Sequence, residues 1–295
     1  MPNWSNILKE IQNQPNPLDI VRRNYIEKLH NHTDRNVITY YSGFLTGIND
    51  YNLSINDQDM SGFMNAINKM DSNKGVDLIL HTPGGSIAAT ESIVSYLRSK
   101  FGNNIRAIIP QISMSAGTMI ALSCSEIIMG IHSNIGPIDP QVNGVPAYNI
   151  INEFTQAKLD LEKNINIPYW QLQLSKYPPA YILECENAIK LSSELVTDWL
   201  RSGMFADTDP QDKDAIIDSI VKNLNEHENS KTHSRHYDIN FCKSLGLKII
   251  DLEKDIELQD LVLSLHHVYT HTFSNTSAIK IIESNGQAPY IISLK

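Results

Sequence analysis

Twice between Val76 and Gln141 a short apolar run stops at a turn of small residues and gives way to a helix-periodic segment. Val76-Asp77-Leu78-Ile79-Leu80 ends at His81-Thr82-Pro83-Gly84-Gly85-Ser86, after which Ala89, Ile93 and Leu97 recur one helical turn apart. Ile105 to Ile109 ends at Pro110 and leads through Ser113-Met114-Ser115-Ala116-Gly117-Thr118 into an apolar helix, Met119 to Leu122. Two strand-turn-helix units in series imply a right-handed crossover and a parallel sheet. In such sheets the loops at the carboxyl ends of the strands line the ligand crevice, so the glycine pair and the serine turn are expected side by side.

That placement has a chemical meaning. A serine attacking a carbonyl needs a base for its proton and two donors aimed at the oxyanion that forms. Ser115 falls at the mouth of a helix, where backbone N–H groups are free. Gly84 and Gly85 can take positive φ and point an N–H into the crevice. Gly85 N–H and Ala116 N–H are the candidate oxyanion donors. Read singly, the glycine pair is also an ordinary turn and Ser115 an ordinary helix N-cap.

The two turns are followed by Ile127-Ile128-Met129-Gly130 and Asn134-Ile135-Gly136-Pro137-Ile138-Asp139-Pro140-Gln141. This succession resembles the serine dehydrogenase proteinase family of the Clp protease and crotonase superfamily, related to serine peptidases of the signal peptide peptidase A type. The likeness extends back to Arg35-Asn36-Val37 and forward to Thr232-His233, Leu245-Gly246-Leu247 and Lys280-Ile281-Ile282-Glu283. It implies an α/β fold, a Clp protease/crotonase-like repeated β-β-α spiral with a parallel sheet and helical N- and C-terminal additions. The boundaries it suggests are an N-terminal helical segment, 1–35, a peptidase domain, 36–250, and a C-terminal extension, 251–295.

In Clp-type proteases the catalytic histidine lies near the Gly-Pro-Ile-Asp turn, and here no histidine matches it; His132 is slightly early and Asp139 slightly late. Where the triad aspartate of those enzymes would fall stands Ser234, with His233 beside it. A triad requires a base and a group that orients it, whichever segment supplies each. We therefore take His233 as the base and Asp139 as the residue that fixes its tautomer. Lys158 is the alternative base, by likeness to relatives with a Ser-Lys dyad, although its surroundings also read as a solvated helix face.

Elsewhere the chain constrains function by exclusion. Its net charge of −9 argues against a nucleic-acid surface. The three cysteines are widely spaced and fit a reducing cytoplasm. No apolar run is long enough to span a membrane, and the N-terminus has no signal-peptide pattern. Trp4, Ile7, Leu8 and Ile11 form one helical stripe and Ile20, Ile26 and Leu29 a second, with Arg22, Arg23 and Lys28 read as a solvated face. Asn49 to Gln58 reads as a surface loop, Ala147 to Glu228 as helices that cap the sheet or join subunits, and Ile279 to Glu283 with Ala288 to Leu294 as a short added strand. His267 and His271 have the spacing of helical metal ligands, beside His266, but lack a third ligand; no metal and no cofactor is expected.

Two function classes remain. One is a serine endopeptidase acting on peptide or unfolded protein through Ser115, as a cytoplasmic homo-oligomer. The other is a non-hydrolytic scaffold or pseudoenzyme on the same fold, serving as an oligomeric binding platform.

Overall fold

The strands at the centre of the sheet are apolar on consecutive residues because both of their faces are covered. Asn36–Ser42 and Val76–His81 are buried at every position. The computed structural model describes residues 7–10 and 17–294. In chain order these form α1 (Pro17–Thr33), β1 (Asn36–Ser42), α2 (Asp59–Ile67), β2 (Val76–His81), α3 (Ile87–Phe101), β3 (Ile105–Ile109), β4 (Ile112–Ser113), α4 (Ala116–Leu122), β5 (Glu126–Met129) and β6 (Asn134–Ile135). There follow β7 (Gln141–Val142), β8 (Val145–Pro146), α5 (Ala147–Glu162), α6 (Ile167–Leu174), α7 (Tyr181–Ser202), α8 (Pro210–Asn225), α9 (His227–Ser230), α10 (Ile239–Ser244), β9 (Ile249–Asp251), α11 (Ile256–Asn275), β10 (Ala278–Ser284) and β11 (Gln287–Ser293).

The main sheet has the order β11-β10-β1-β2-β3-β5-β9. From β1 to β9 the strands are parallel; β10 runs antiparallel to β1, and β11 turns back on β10. Alternation along each strand divides the core in two. Ile38, Leu78, Ala107 and Ile127 enter one cluster. Val37, Ile79, Ile108 and Ile128 enter the other, against α1 and α11. Each such Val, Leu or Ile side chain, fully buried, contributes about 1.5–3 kcal/mol. The expected mixed α/β fold with a mostly parallel sheet is therefore present, and the tail expected as added strand forms the β10–β11 hairpin in that same sheet.

Three expectations need correction or restriction. Trp4 and Ile11 lie outside the described residues; Ile7 is buried in the core beneath α1. On α1, Ile26 and Leu29 are buried, but Ile20 is turned out and Val21 in. Arg22 is not on a solvated face. It is completely buried, hydrogen-bonded to the buried Glu283 of β10, because a carboxylate inside an apolar strand requires a cation. Arg23 and Lys28 do face outward.

A pair of histidines at the carboxyl edge of the sheet makes stability pH-dependent. His81 ends β2, and His266 lies on α11; both are buried, with ring centroids 5.1 Å apart. Tyr41 and Phe44 complete the box around them. Burial lowers the His81 pKa from 6.5 to about 4. Burial, with His81 as the nearest charge, drives His266 well below the usual range. As pH falls from 6.5 toward about 4, the unfolded chain takes up protons that the folded chain refuses. The stabilisation is thus complete above that window and is lost through it, by about 3 kcal/mol for His81 alone. Denaturant midpoints should drop steeply over this range in the wild type and less so in His81→Phe; equal slopes would contradict the assignment.

Candidate active site

The four motifs of the sequence meet because each supplies one rung of a short ladder beyond the carboxyl end of the main sheet. Thr82 bridges Ser113 in parallel register. β4 pairs with β6, and Ile135 of β6 pairs in turn with Tyr237, antiparallel. The bonds are Thr82 N–H to Ile112 O at 3.1 Å, Met114 N–H to Thr82 O at 3.0 Å and the reciprocal Ile135–Tyr237 pair at 3.1 and 2.8 Å. Gly84 and Gly85 follow Thr82, Ser115 follows Ser113, Asp139 follows Ile135, and His233 precedes Tyr237. One row of backbone hydrogen bonds therefore delivers all of them to one end of the fold.

Ser115 is the turn between β4 and α4, at φ 51° and ψ −117°, a conformation that side chains rarely adopt. Its hydroxyl makes no capping bond to the helix that follows, so the plain N-cap alternative does not describe it. Gly84 takes φ +97°, and a Cβ there would lie 2.7 Å from both Met114 O and the Ser115 Cβ. Gly85 is required by close approach on the other side. A Cβ on it would fall 2.3–2.8 Å from the backbone of Ile55. Ile55 N–H donates to Gly84 O at 2.8 Å, and Ser86 N–H to Ile55 O at 2.9 Å. Among the described residues, neither Gly85 N–H nor Ala116 N–H donates to a protein acceptor. Gly85→Ala should cost about 2–4 kcal/mol by overpacking and backbone strain, read as a lowered urea midpoint.

Across a cleft of about 400 Å³ lined by Gly84, Gly85, Ser115 and Gln141 stands His233. Its Nδ1 is 2.8 Å from Oδ1 of Asp139, whose side chain is completely buried while His233 keeps 27% exposure. The other carboxylate oxygen accepts from Gln141 Nε2 at 3.1 Å. Asp139 is placed through its neighbour: Ile138 N–H donates to Leu224 O at 2.8 Å, and Ser192 Oγ donates to Ile138 O at 3.1 Å. Thr118 ties this turn to the serine helix, accepting from Gly136 N–H at 3.0 Å and donating to Ser113 O at 2.9 Å. Ile87, Met119 and Ile138 supply apolar walls.

Ser115, His233 and the glycine pair thus share one cleft, with Asp139 bonded behind His233 and Ala116 adjoining Ser115. Lys158 is exposed on α5 and does not line the cleft; neither does His132. Among the described residues no group of three or more metal-ligand side chains converges, at His267 and His271 or elsewhere. The segment Asn49 to Gln58 is not a loop over the surface. Leu53, Ile55 and Asn56 are buried, and Ile55 forms the edge of the glycine turn. One cue to this lies elsewhere in the chain: Lys280 inside an apolar strand demands a buried partner. That partner is Asp59, just beyond the segment.

A mixed α/β chain with a mostly parallel sheet and these turns at its carboxyl edge fits the ClpP-like class of folds. The chain belongs to the family described as ClpP-like SDH-type serine proteinase, which it matches over residues 7–285. It is also similar to two proteins of Methanocaldococcus jannaschii. It is 35% identical over 153 residues to Uncharacterized protein MJ0137, covering 50% of this chain and 53% of that one. It is 37% identical over 97 residues to Uncharacterized protein MJ1495, covering 33% of each. The matched region thus spans about half the length of the first relative and a third of the second. Among the described residues, no helix is long and apolar enough to cross a membrane.

Proposed function

We propose that this chain is a serine endopeptidase that cleaves peptide bonds through an acyl-enzyme on Ser115. The observation that carries the reading is that His233, bonded to a buried carboxylate, lines the same cleft as a strained serine whose hydroxyl caps nothing. In this reading Asp139 accepts a hydrogen bond from His233 Nδ1–H, leaving the unprotonated Nε2 as the base that takes the Ser115 proton. Oγ attacks the peptide carbonyl, and the N–H groups of Gly85 and Ala116 hold the oxyanion. Collapse expels the amine, which takes the proton from His233, and water repeats the sequence to release the acid. Among the described residues that line the cleft, His233 is the only titratable side chain, and none of the others carries a charge that could hold a free peptide terminus. That favours internal bonds.

The same reading places the chemistry in residues 36–250 on a repeated β-β-α spiral of the Clp protease/crotonase type, with 1–35 and 251–295 as additions. Its substrates are peptides or unfolded protein, and no cofactor takes part. We further propose a cytoplasmic homo-oligomer. Support for assembly is the outer side of the α5–α7 arm, where Leu159, Tyr169, Leu172 and Leu183 are exposed. The test is reaction of the purified protein with a fluorophosphonate probe and mapping of the adduct by mass spectrometry. Label on Ser115 is expected. A folded protein that takes up no label would move the reading to a non-hydrolytic scaffold.

A further inference from the structure

The edge of the glycine turn is held by a buried ion pair that the chemistry above does not use. Lys280, in the middle of β10, and Asp59, in the first turn of α2, are both fully buried, with Nζ and Oδ1 2.7 Å apart. Lys280 Nζ also donates to Ser54 O at 2.8 Å. The second oxygen of Asp59 accepts from Tyr40 OH at 2.7 Å and from Asn56 N–H at 3.1 Å. Ser42 Oγ holds the preceding carbonyl, Leu53 O, at 2.7 Å. The pair therefore grips the chain on both sides of Ile55, at Ser54 O and at Asn56 N–H.

Ile55 is the residue whose backbone lies flat on Gly85 and exchanges two hydrogen bonds with the turn. On its opposite side the turn touches Ser115, since a Cβ on Gly84 would strike the Ser115 Cβ. A continuous row of contacts thus runs from Lys280 and Asp59 through Ser54-Ile55-Asn56 and Gly84-Gly85 to Ser115. A buried ion pair is poor evidence for stability, because well-packed apolar residues commonly serve as well or better. What an ion pair with three further directed hydrogen bonds adds is a fixed position for the groups it binds.

We propose that Lys280 and Asp59 are positioning residues for the oxyanion donor Gly85 N–H, an inference that rests on the hydrolytic reading above. Lys280 acts from a strand near the end of the chain, on a site built from residues around 85 and 115. The pair touches no substrate; it fixes the strand edge against which the glycine turn is set.

The test is the charge-neutral double variant Lys280→Met/Asp59→Leu, since removing one partner alone would leave an uncompensated buried charge. Rates are normalised to labelled Ser115, which discounts any unfolded fraction. A donor displaced by about an ångström costs on the order of 10²-fold. We expect kcat to fall about 10- to 100-fold with KM held within about twofold. Affinity for a peptide boronate, whose tetrahedral anion on Ser115 uses the same donor, should fall by a similar factor. A merely structural role would lower the labelled fraction and leave the normalised kcat and the boronate affinity unchanged, and that result overturns the proposal. Should the double variant not fold, the near-isosteric Lys280→Gln/Asp59→Asn enters the same comparison, with the same two outcomes. Wild-type protein that fails to label at all would instead remove the hydrolytic reading, and this inference with it.

Discussion

Replacing Ser115 with alanine is expected to lower kcat by about 10⁶-fold while leaving the folded state as stable as before. The two halves of this prediction together separate a nucleophile from a helix cap. A serine that caps a helix satisfies a free N–H, and its replacement by alanine costs about 1 kcal/mol of stability. Ser115 precedes α4 but makes no such bond, so alanine removes nothing that holds the helix. The strained backbone at this turn is unchanged in kind, since alanine faces the same positive φ. Urea midpoints equal within error, beside loss of both fluorophosphonate labelling and peptide turnover, are the expected pair of results. A destabilised variant with intact turnover would return Ser115 to the role of a cap.

How much of this was legible in the sequence depends on the range of the interaction. The strand and helix cores were readable because their periodicity is local: Val76–His81, Ile87–Phe101 and Ile105–Ile109 stand close to where apolar spacing put them. The Ser115 and Gly85 turns were readable for the same reason, since turn chemistry lies within a few residues. The pairing of His233 with Asp139 was an inference about roles, not spacing, and the 2.8 Å contact now brings the two together across 94 positions. What stayed hidden were two other cases in which polar groups are buried by distant partners. Arg22 on a short amphipathic helix gave no sign of Glu283. The polar segment Asn49 to Gln58 looked solvated because its backbone is satisfied by Ser42 and Lys280, one before it and one more than 200 residues after it.

The placement of Asp139 shows the same long reach. The arm helices α7 and α8 hold Ile138 from two sides through Ser192 and Leu224. The orientation of the base is thereby tied to the lobe whose outer surface carries exposed apolar side chains. An arm that shifts would move the carboxylate before it moved the serine, because Ser115 is fixed separately by the ladder and the glycine turn.

Asp139→Asn should leave the fold intact and lower kcat by about 10⁴-fold, the scale of loss when a triad histidine is held in the wrong tautomer. Shape is conserved in this change; what alters is which atoms donate. Gln141 Nε2 donates to one oxygen of Asp139 at 3.1 Å. In the variant it selects the amide orientation, since a donor must meet the oxygen of Asn and not its NH₂. The NH₂ then faces His233 Nδ1, which becomes an acceptor and shifts the ring proton to Nε2. A base whose Nε2 already carries a proton cannot take one from Ser115. The second variant follows from this geometry: Asp139→Asn/Gln141→Glu offers an acceptor where Gln141 offered a donor. The Asn amide can then turn its NH₂ to the new carboxylate and its oxygen to His233, restoring the working tautomer. Partial recovery of kcat in the double variant, measured against the single one at constant KM, is the expected result. An Asp139→Asn protein with wild-type turnover would remove Asp139 from the proposed triad.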